Sequence, residues 1–146
     1  MYHAPMTREQ IVSVMQAMQR AWNVRDAAAL AALHADDGVV HSPMFGEVHG
    51  RAEIEQAYRE MFRGFADWNF EGQELIIDGN RAAQTFIATA THTSELFGVE
   101  ATHRKFKVQG VLVFELRDGK IQAERRLYDF TSLLLQLGVL KAKPGK

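Results

Sequence analysis

The stretch KFKVQGVLVFELRDGKIQAERRLYDF, Lys105 to Phe130, holds two strands and the turn that joins them. Phe106 and Val108 alternate with Lys105, Lys107 and Gln109, the period of a half-exposed strand. Beyond Gly110 the run Val111-Leu112-Val113-Phe114 is apolar on both faces, so something must cover each face there. Gly110 reads as a bend or bulge, and Asp118-Gly119 as the hairpin turn into a strand from Lys120 to Asp129. The simplest cover for the second face is another copy of the chain, which predicts a homodimer formed through the sheet.

Working outward, the same period extends back to Trp68. Phe70 to Ile77 meets a turn at Asp78-Gly79-Asn80, a long strand follows from Ala82 to Thr93, and Ser94 to His103 forms a loop. Upstream of Trp68 the period is helical. Thr7 and Gln10 form a capping box, with Met6 and Ile11 as its staple, ahead of a helix with Met15, Met18 and Trp22 on one face. Asp26 caps a short helix, Ala27 to His34, which Asp36-Asp37-Gly38 breaks. Val39 to Ser42 is a brief strand stopped by Pro43. A third helix, Arg51 to Phe65, carries Ile54, Ala57, Tyr58, Met61, Phe62 and Phe65 as its apolar stripe. At the other end a helix from Thr131 to Leu137 stops at Gly138, a C-cap residue. Three helices followed by a strand meander predict an α+β fold with helices packed on one face of a mostly antiparallel sheet. The 146 residues fit one domain, with an ordered core over about 7–140 and a frayed tail over 141–146.

Composition narrows the function. With no cysteine there is no disulfide, thiolate metal site or thiol nucleophile. A formal charge of −1 leaves no electrostatic footprint for nucleic acid or an anionic membrane. No membrane-length apolar run and no secretory leader is seen, which makes a cytoplasmic protein the expectation. No spacing among the histidines suits a metal site.

Three strings, in this order, carry a family resemblance: HADDGVVHSP (His34 to Pro43), ATHTSELFGVEATHRK (Ala90 to Lys105), and DGKIQAERRLYDF followed by SLLLQLGVL (Asp118 to Phe130, Ser132 to Leu140). Together they resemble the SnoaL-like polyketide cyclases of the nuclear transport factor-2-like superfamily, over nearly the whole chain. The resemblance implies a cone, with a curved sheet wrapped by the helices around an apolar cavity for a small molecule. It also implies acid–base chemistry without a cofactor. Compared residue by residue, the base aspartate of the similar ketosteroid isomerases falls at Ser42, and their oxyanion donors near Met18 and Leu112. Limonene epoxide hydrolases are similar at the final strand, where Arg125 and Asp129 fit their spacing, but the Arg/Asp pair of their long strand falls at Ile87 and Thr89, so a water-activating triad lacks two members. The cyclase aspartate falls near Arg126, its helper histidine at Leu112 and its helix-one tyrosine at Trp22.

The expected reaction is therefore of cyclase, isomerase or hydrolase type on a small apolar carbonyl or oxygenated compound, with a non-catalytic binding or oligomerisation module as the alternative. Asp129 is the candidate acid or base, or else the cap of the last helix. Arg125, four residues earlier on the strand, would orient it, and His41 stands at the cavity mouth. Met18, Trp22, Tyr58, Met61 and Leu112 are the candidate substrate-binding residues, large side chains able either to line a cavity or to fill a core. On the long strand, the row Thr85, Ile87, Thr89, Thr91 is expected to face inward.

Overall fold

The computed structural model describes residues 5–143. Its elements run α1 (Arg8–Asn23), α2 (Ala27–Ala32), β1 (His34–Ser42), β2 (Gly46–His49), α3 (Arg51–Gly64), β3 (Asn69–Asp78), β4 (Arg81–Thr91), β5 (Lys105–Arg117), β6 (Lys120–Tyr128) and α4 (Phe130–Leu137). The six strands form one curved sheet in the order β2-β1-β6-β5-β4-β3. All pairs are antiparallel except β1 with β6. This is the α+β fold expected from the order of elements, in the cone shape that the family resemblance implied.

Local signals set the helix boundaries. The Thr7 backbone N–H donates to Gln10 Oε1 at 2.8 Å while Gln10 N–H donates to Thr7 Oγ1 at 3.1 Å, so two of the helix's orphan donors are satisfied reciprocally. Asp26 accepts from Ala29 N–H at 2.9 Å and caps α2. Gly138 takes the left-handed conformation (φ 77°) that closes α4.

Two regions differ from the sequence reading. The acidic triplet Asp36-Asp37-Gly38 does not break the chain into a loop: β1 starts at His34 and runs through it, with an irregular register against β6 between His34 and Val39. His34 thus leaves the end of a helix and becomes the first residue of a strand. On β4 the inward row is Phe86, Ala88 and Ala90, not the threonine row. The small alanines leave space beneath Trp22, Trp68 and Phe70, where the larger β-branched residues would not fit.

Helix side chains also seal open strand edges. Gln19 on α1 accepts from Gly72 N–H at 3.0 Å and donates to Phe70 O at 2.8 Å, pairing edge strand β3. Gln136 on α4 does the same at Lys107, accepting at 2.8 Å and donating at 3.1 Å, where β5 runs beyond the end of β6.

Gly110 sits where β4, β5 and β6 are closest. A Cβ there would meet the Leu127 carbonyl oxygen, with Phe86 Cζ and Tyr128 Cβ each at 2.9 Å. Backbone cannot retreat cheaply, so Gly110→Ala should cost about 1–3 kcal/mol, the usual penalty of overpacking. Urea unfolding of the variant tests this; an unchanged midpoint would mean the strands separate more easily than their packing indicates.

Candidate active site

Strand β6 decides which side chains reach the inside of the cone. Its pairing with β5 slips between Glu115/Ala123 and Leu116/Ile121. Before the slip Ile121 points inward; after it Glu124, Arg126 and Tyr128 do. A one-residue bulge reverses the face of every later side chain. An unbroken alternation from Ile121 would instead have turned Arg125 and Asp129 inward.

The hollow is lined by Trp22, Met61, Trp68, Phe70, Phe86, Ala88, Val108 and Leu112, with Ser42, Met44, Phe45, Arg126 and Tyr128 at one side. Trp22 stacks on Phe70 with ring centroids 4.7 Å apart, and Phe70 on Phe86 at 5.0 Å, making an aromatic wall. The void is a narrow seam of about 20 Å³, room for about one water molecule. The indole N–H groups of Trp22 and Trp68 and the hydroxyl of Tyr58 are buried without a hydrogen-bond partner.

Behind the lining lies a buried ionic cluster. Glu124, fully buried, receives Arg126 Nε on Oε2 at 2.7 Å and faces His34 Nε2 with Oε1 at 3.0 Å. His34 Nδ1 lies 2.9 Å from the Leu30 carbonyl, which can only accept, so that nitrogen carries a proton. Burial by itself would raise the Glu124 pKa, but the Arg126 charge and then the His34 contact outweigh it and hold the group at about 2. Burial likewise opposes the Arg126 charge, and Tyr58 and Glu124 more than offset it, leaving its pKa raised. The guanidinium carbon lies 5.0 Å from the centre of the Tyr58 ring. Burial, and secondarily Glu124, raise the Tyr58 pKa, so it stays a neutral phenol. Burial also raises that of Tyr128, against the Arg126 charge and a Ser42 hydrogen bond.

The expected catalytic residues lie elsewhere. Asp129 is exposed and caps α4, its Oδ1 accepting from Ser132 N–H at 2.9 Å. Arg125 is exposed on the outer face of the sheet, and His41 is its register partner there on β1. The expectation that these three meet in the cone is corrected: the bulge turns Arg125 outward, and the chain leaves the sheet at Tyr128 before Asp129 can point in. Among the expected binding residues, Trp22, Met61 and Leu112 line the hollow. Tyr58 is buried behind it against Arg126, and Met18 is buried in the core without lining it. Glu124, Arg126 and His34 are the residues that sequence reasoning missed as a group. The available signal was an ionisable pair at positions i and i+2 of a strand, which share a face. Among the described residues no group of three or more His, Asp or Glu side chains could hold a metal ion, and no helix is long and apolar enough to cross a membrane.

A sequence model described as SnoaL-like polyketide cyclase matches residues 12–137. No curated protein matches the chain in sequence. Among solved structures, AclR, a candidate hydroxylase from Streptomyces galilaeus, is similar with a TM-score of 0.79 and 25% identity, over 94% of this chain and 91% of its own. IdmH, a candidate polyketide cyclase from Streptomyces antibioticus, has a TM-score of 0.72 and 27% identity over 87% and 97% of the two chains. TsrD from Streptomyces laurentii, 21% identical with a TM-score of 0.80 over 92% and 99%, shares the fold.

Glu124→Gln leaves Arg126 buried without its counter-charge and should cost about 3–5 kcal/mol, as loss of one partner of a buried pair does. Because the folded pKa is depressed, the carboxylate's contribution is complete above its ordinary value of 4.5 and lost as pH falls toward about 2. Urea unfolding of wild type and variant should therefore show a gap that is constant at neutral pH and narrows below 4.5. A gap that persists unchanged to the acid limit would contradict this assignment.

Proposed function

Since the chain belongs to the SnoaL-like polyketide cyclase family, we propose that it is a cofactor-independent enzyme whose cone binds a small, largely apolar carbonyl compound and stabilises negative charge developing on its oxygen. The observation that carries this reading is Arg126, 11% exposed, held in place by Glu124 at the edge of an aromatic hollow. A fixed cation in a water-poor cavity interacts with a developing oxyanion far more strongly than it would in water. The other polar groups at the hollow favour the same chemistry. Trp22 and Trp68 hold unpaired N–H donors, and Tyr128 is a neutral phenol beside Ser42. Such a site suits a ligand rich in acceptors, as a polycarbonyl chain is.

No free base accompanies these donors. Glu124 engages both oxygens and its pKa is depressed, so it orients Arg126 and does not abstract a proton. The reaction fitting this arrangement is one in which the substrate's own C–H acid, flanked by carbonyls and stabilised as its enolate, gives its proton to solvent water at the mouth of the hollow. Addition of the enolate carbon to a second carbonyl closes a ring, and the alkoxide formed takes a proton back from water. The same lack of a free base is the specific observation favouring a second reading, a binding module that holds such a compound without converting it.

We also propose that two copies associate through the outer face of the sheet. Val111 pairs with Leu127 and Val113 with Arg125 across β5 and β6, and Val113 and Leu127 are exposed large apolar groups there.

Arg126→Met, alone and with Glu124→Gln to remove the orphaned charge, tests the chemistry. With a 1,3-dicarbonyl probe, turnover should fall by about 10²–10³, while binding followed by tryptophan fluorescence changes only a few-fold. Retained turnover would remove Arg126 from the reaction; binding without turnover in wild type, across a panel of such probes, would favour the second reading. For assembly, Val113→Asp should turn a dimer into a monomer in sedimentation velocity, and a monomeric wild type would refute the association.

A further inference from the structure

A second cavity, separate from the cone's aromatic hollow, lies between α4, the end of α3 and the loop joining β4 to β5. It measures about 280 Å³, near the lower edge of small-molecule sites. Of its lining residues only His92 is polar; Phe65, Leu96, Phe97, Leu133, Leu134 and Leu137 supply most of the wall.

The state of His92 follows from its hydrogen bonds. The backbone N–H of Thr102 donates to Nδ1 at 3.2 Å, and a backbone N–H can only donate. The neutral ring therefore carries its proton on Nε2. That nitrogen is buried, the residue being 2% exposed, and it has no partner. Burial lowers the pKa of the ring, with His103 acting the same way and the Ser94 backbone and Glu95 acting against it. The backbone of His92 is also held in place: its N–H donates to Arg104 O, and His103 N–H donates to its carbonyl oxygen, each at 3.0 Å. Buried donors are almost always paired in native proteins. His92 is a wall residue of an apolar cavity, and its Nε2–H lacks an acceptor. Phe97 stands at the rim, 61% exposed and in the left-handed region at φ 53°, a conformation that bulky residues seldom adopt without a local reason.

We propose that this cavity is a binding site for a neutral, largely apolar small molecule whose carbonyl oxygen accepts a hydrogen bond from His92 Nε2–H. A carboxylate is disfavoured, because no cation lines the cavity to offset its desolvation. The inference does not depend on the chemistry assigned to Arg126, since no residue of that cluster lines the cavity.

Acetophenone and isopropylbenzene, nearly equal in shape but with and without a carbonyl, are suitable probes. Both would be titrated into the full chain while imidazole and indole N–H signals are followed by NMR. Acetophenone should shift the His92 ring signal and bind at least fivefold more tightly than isopropylbenzene. His92→Phe should abolish that preference, and Leu134→Trp, which fills the cavity without touching His92, should weaken acetophenone at least tenfold. Should His92→Phe fail to fold, the wild-type preference and the Leu134→Trp result decide alone. Equal binding of the two probes, no saturable binding, or shifts confined to the Trp22 and Trp68 indoles would overturn the proposal. So would a His92 signal that moves with protein concentration alone, which would make a second copy the occupant.

Discussion

A carboxylate placed at the centre of a protein has to be neutralised and hydrogen-bonded, or the structure around it does not persist. Glu124 meets that condition with one partner from its own strand, Arg126, and one from the start of β1, His34. His34 in turn reaches Leu30 on α2 through Nδ1, and its carbonyl accepts from Arg51 Nε and Nη2 at 3.1 and 2.7 Å. Two helices, α2 through Leu30 and α3 through its first residue Arg51, are thus tied to the parallel β1–β6 pair through one buried charge. Arg51 also forms an ion pair with Asp36, at 2.6 Å. This explains why β1 can run through an acidic triplet: its outward carboxylate has a cation waiting, while the inward end of the strand is fixed by His34. The cluster serves location more than net stability, since ion pairs of this kind seldom outperform well-packed apolar groups.

Function inherits that geometry. Arg126 can keep its charge at the rim of an apolar hollow only because Glu124 lies directly behind it. Without the carboxylate the guanidinium would have to leave for water or be lost to desolvation. The family resemblance implies an acidic group near the position that Arg126 occupies. A cation there reverses the local polarity, so the site is suited to holding negative charge on a substrate and unsuited to removing a proton with a carboxylate of its own. The unpaired indole donors of Trp22 and Trp68, also lining residues, extend the same preference for acceptors.

The architecture was legible because it rests on periodicity and punctuation. Thr7/Gln10, Asp26, Asp118-Gly119 and Gly138 each act through short-range backbone chemistry, and each has the expected effect. The face of β6 was not legible, because it depends on a bulge that conserves composition and changes only parity. Arg125 lies on the outer face of the sheet, and Asp129 lies past the end of β6 as the cap of α4. For Asp129 two roles competed, and the local one prevailed: capping an adjacent helix needs no burial and no partner from a distant element. Trp22, Met61 and Leu112 were found because large apolar side chains on inward faces line whatever space the cone leaves. Glu124 and His34 were missed because 90 residues separate them in the chain, and only the parallel β1–β6 pairing brings them together.

The narrowness of the hollow sets a further constraint on any ligand. A carbonyl compound larger than a water molecule enters only if side chains move, and the arrangement of the walls limits which ones. On the sheet side, Phe86, Ala88 and Leu112 belong to central strands paired on both edges, and cannot shift without breaking backbone hydrogen bonds. On the side of the His92 cavity the barrier is different in kind. Phe65 touches both Trp68 and His92, with ring centroids 5.6 Å apart in each case, and Met44 lines both cavities. Met44 follows β1 outside regular structure, and methionine changes shape at low cost. Expansion toward the second cavity therefore disturbs side-chain rotamers alone, whereas expansion through the sheet disturbs the backbone. By that comparison, opening the hollow toward the second cavity costs less than opening it through the sheet.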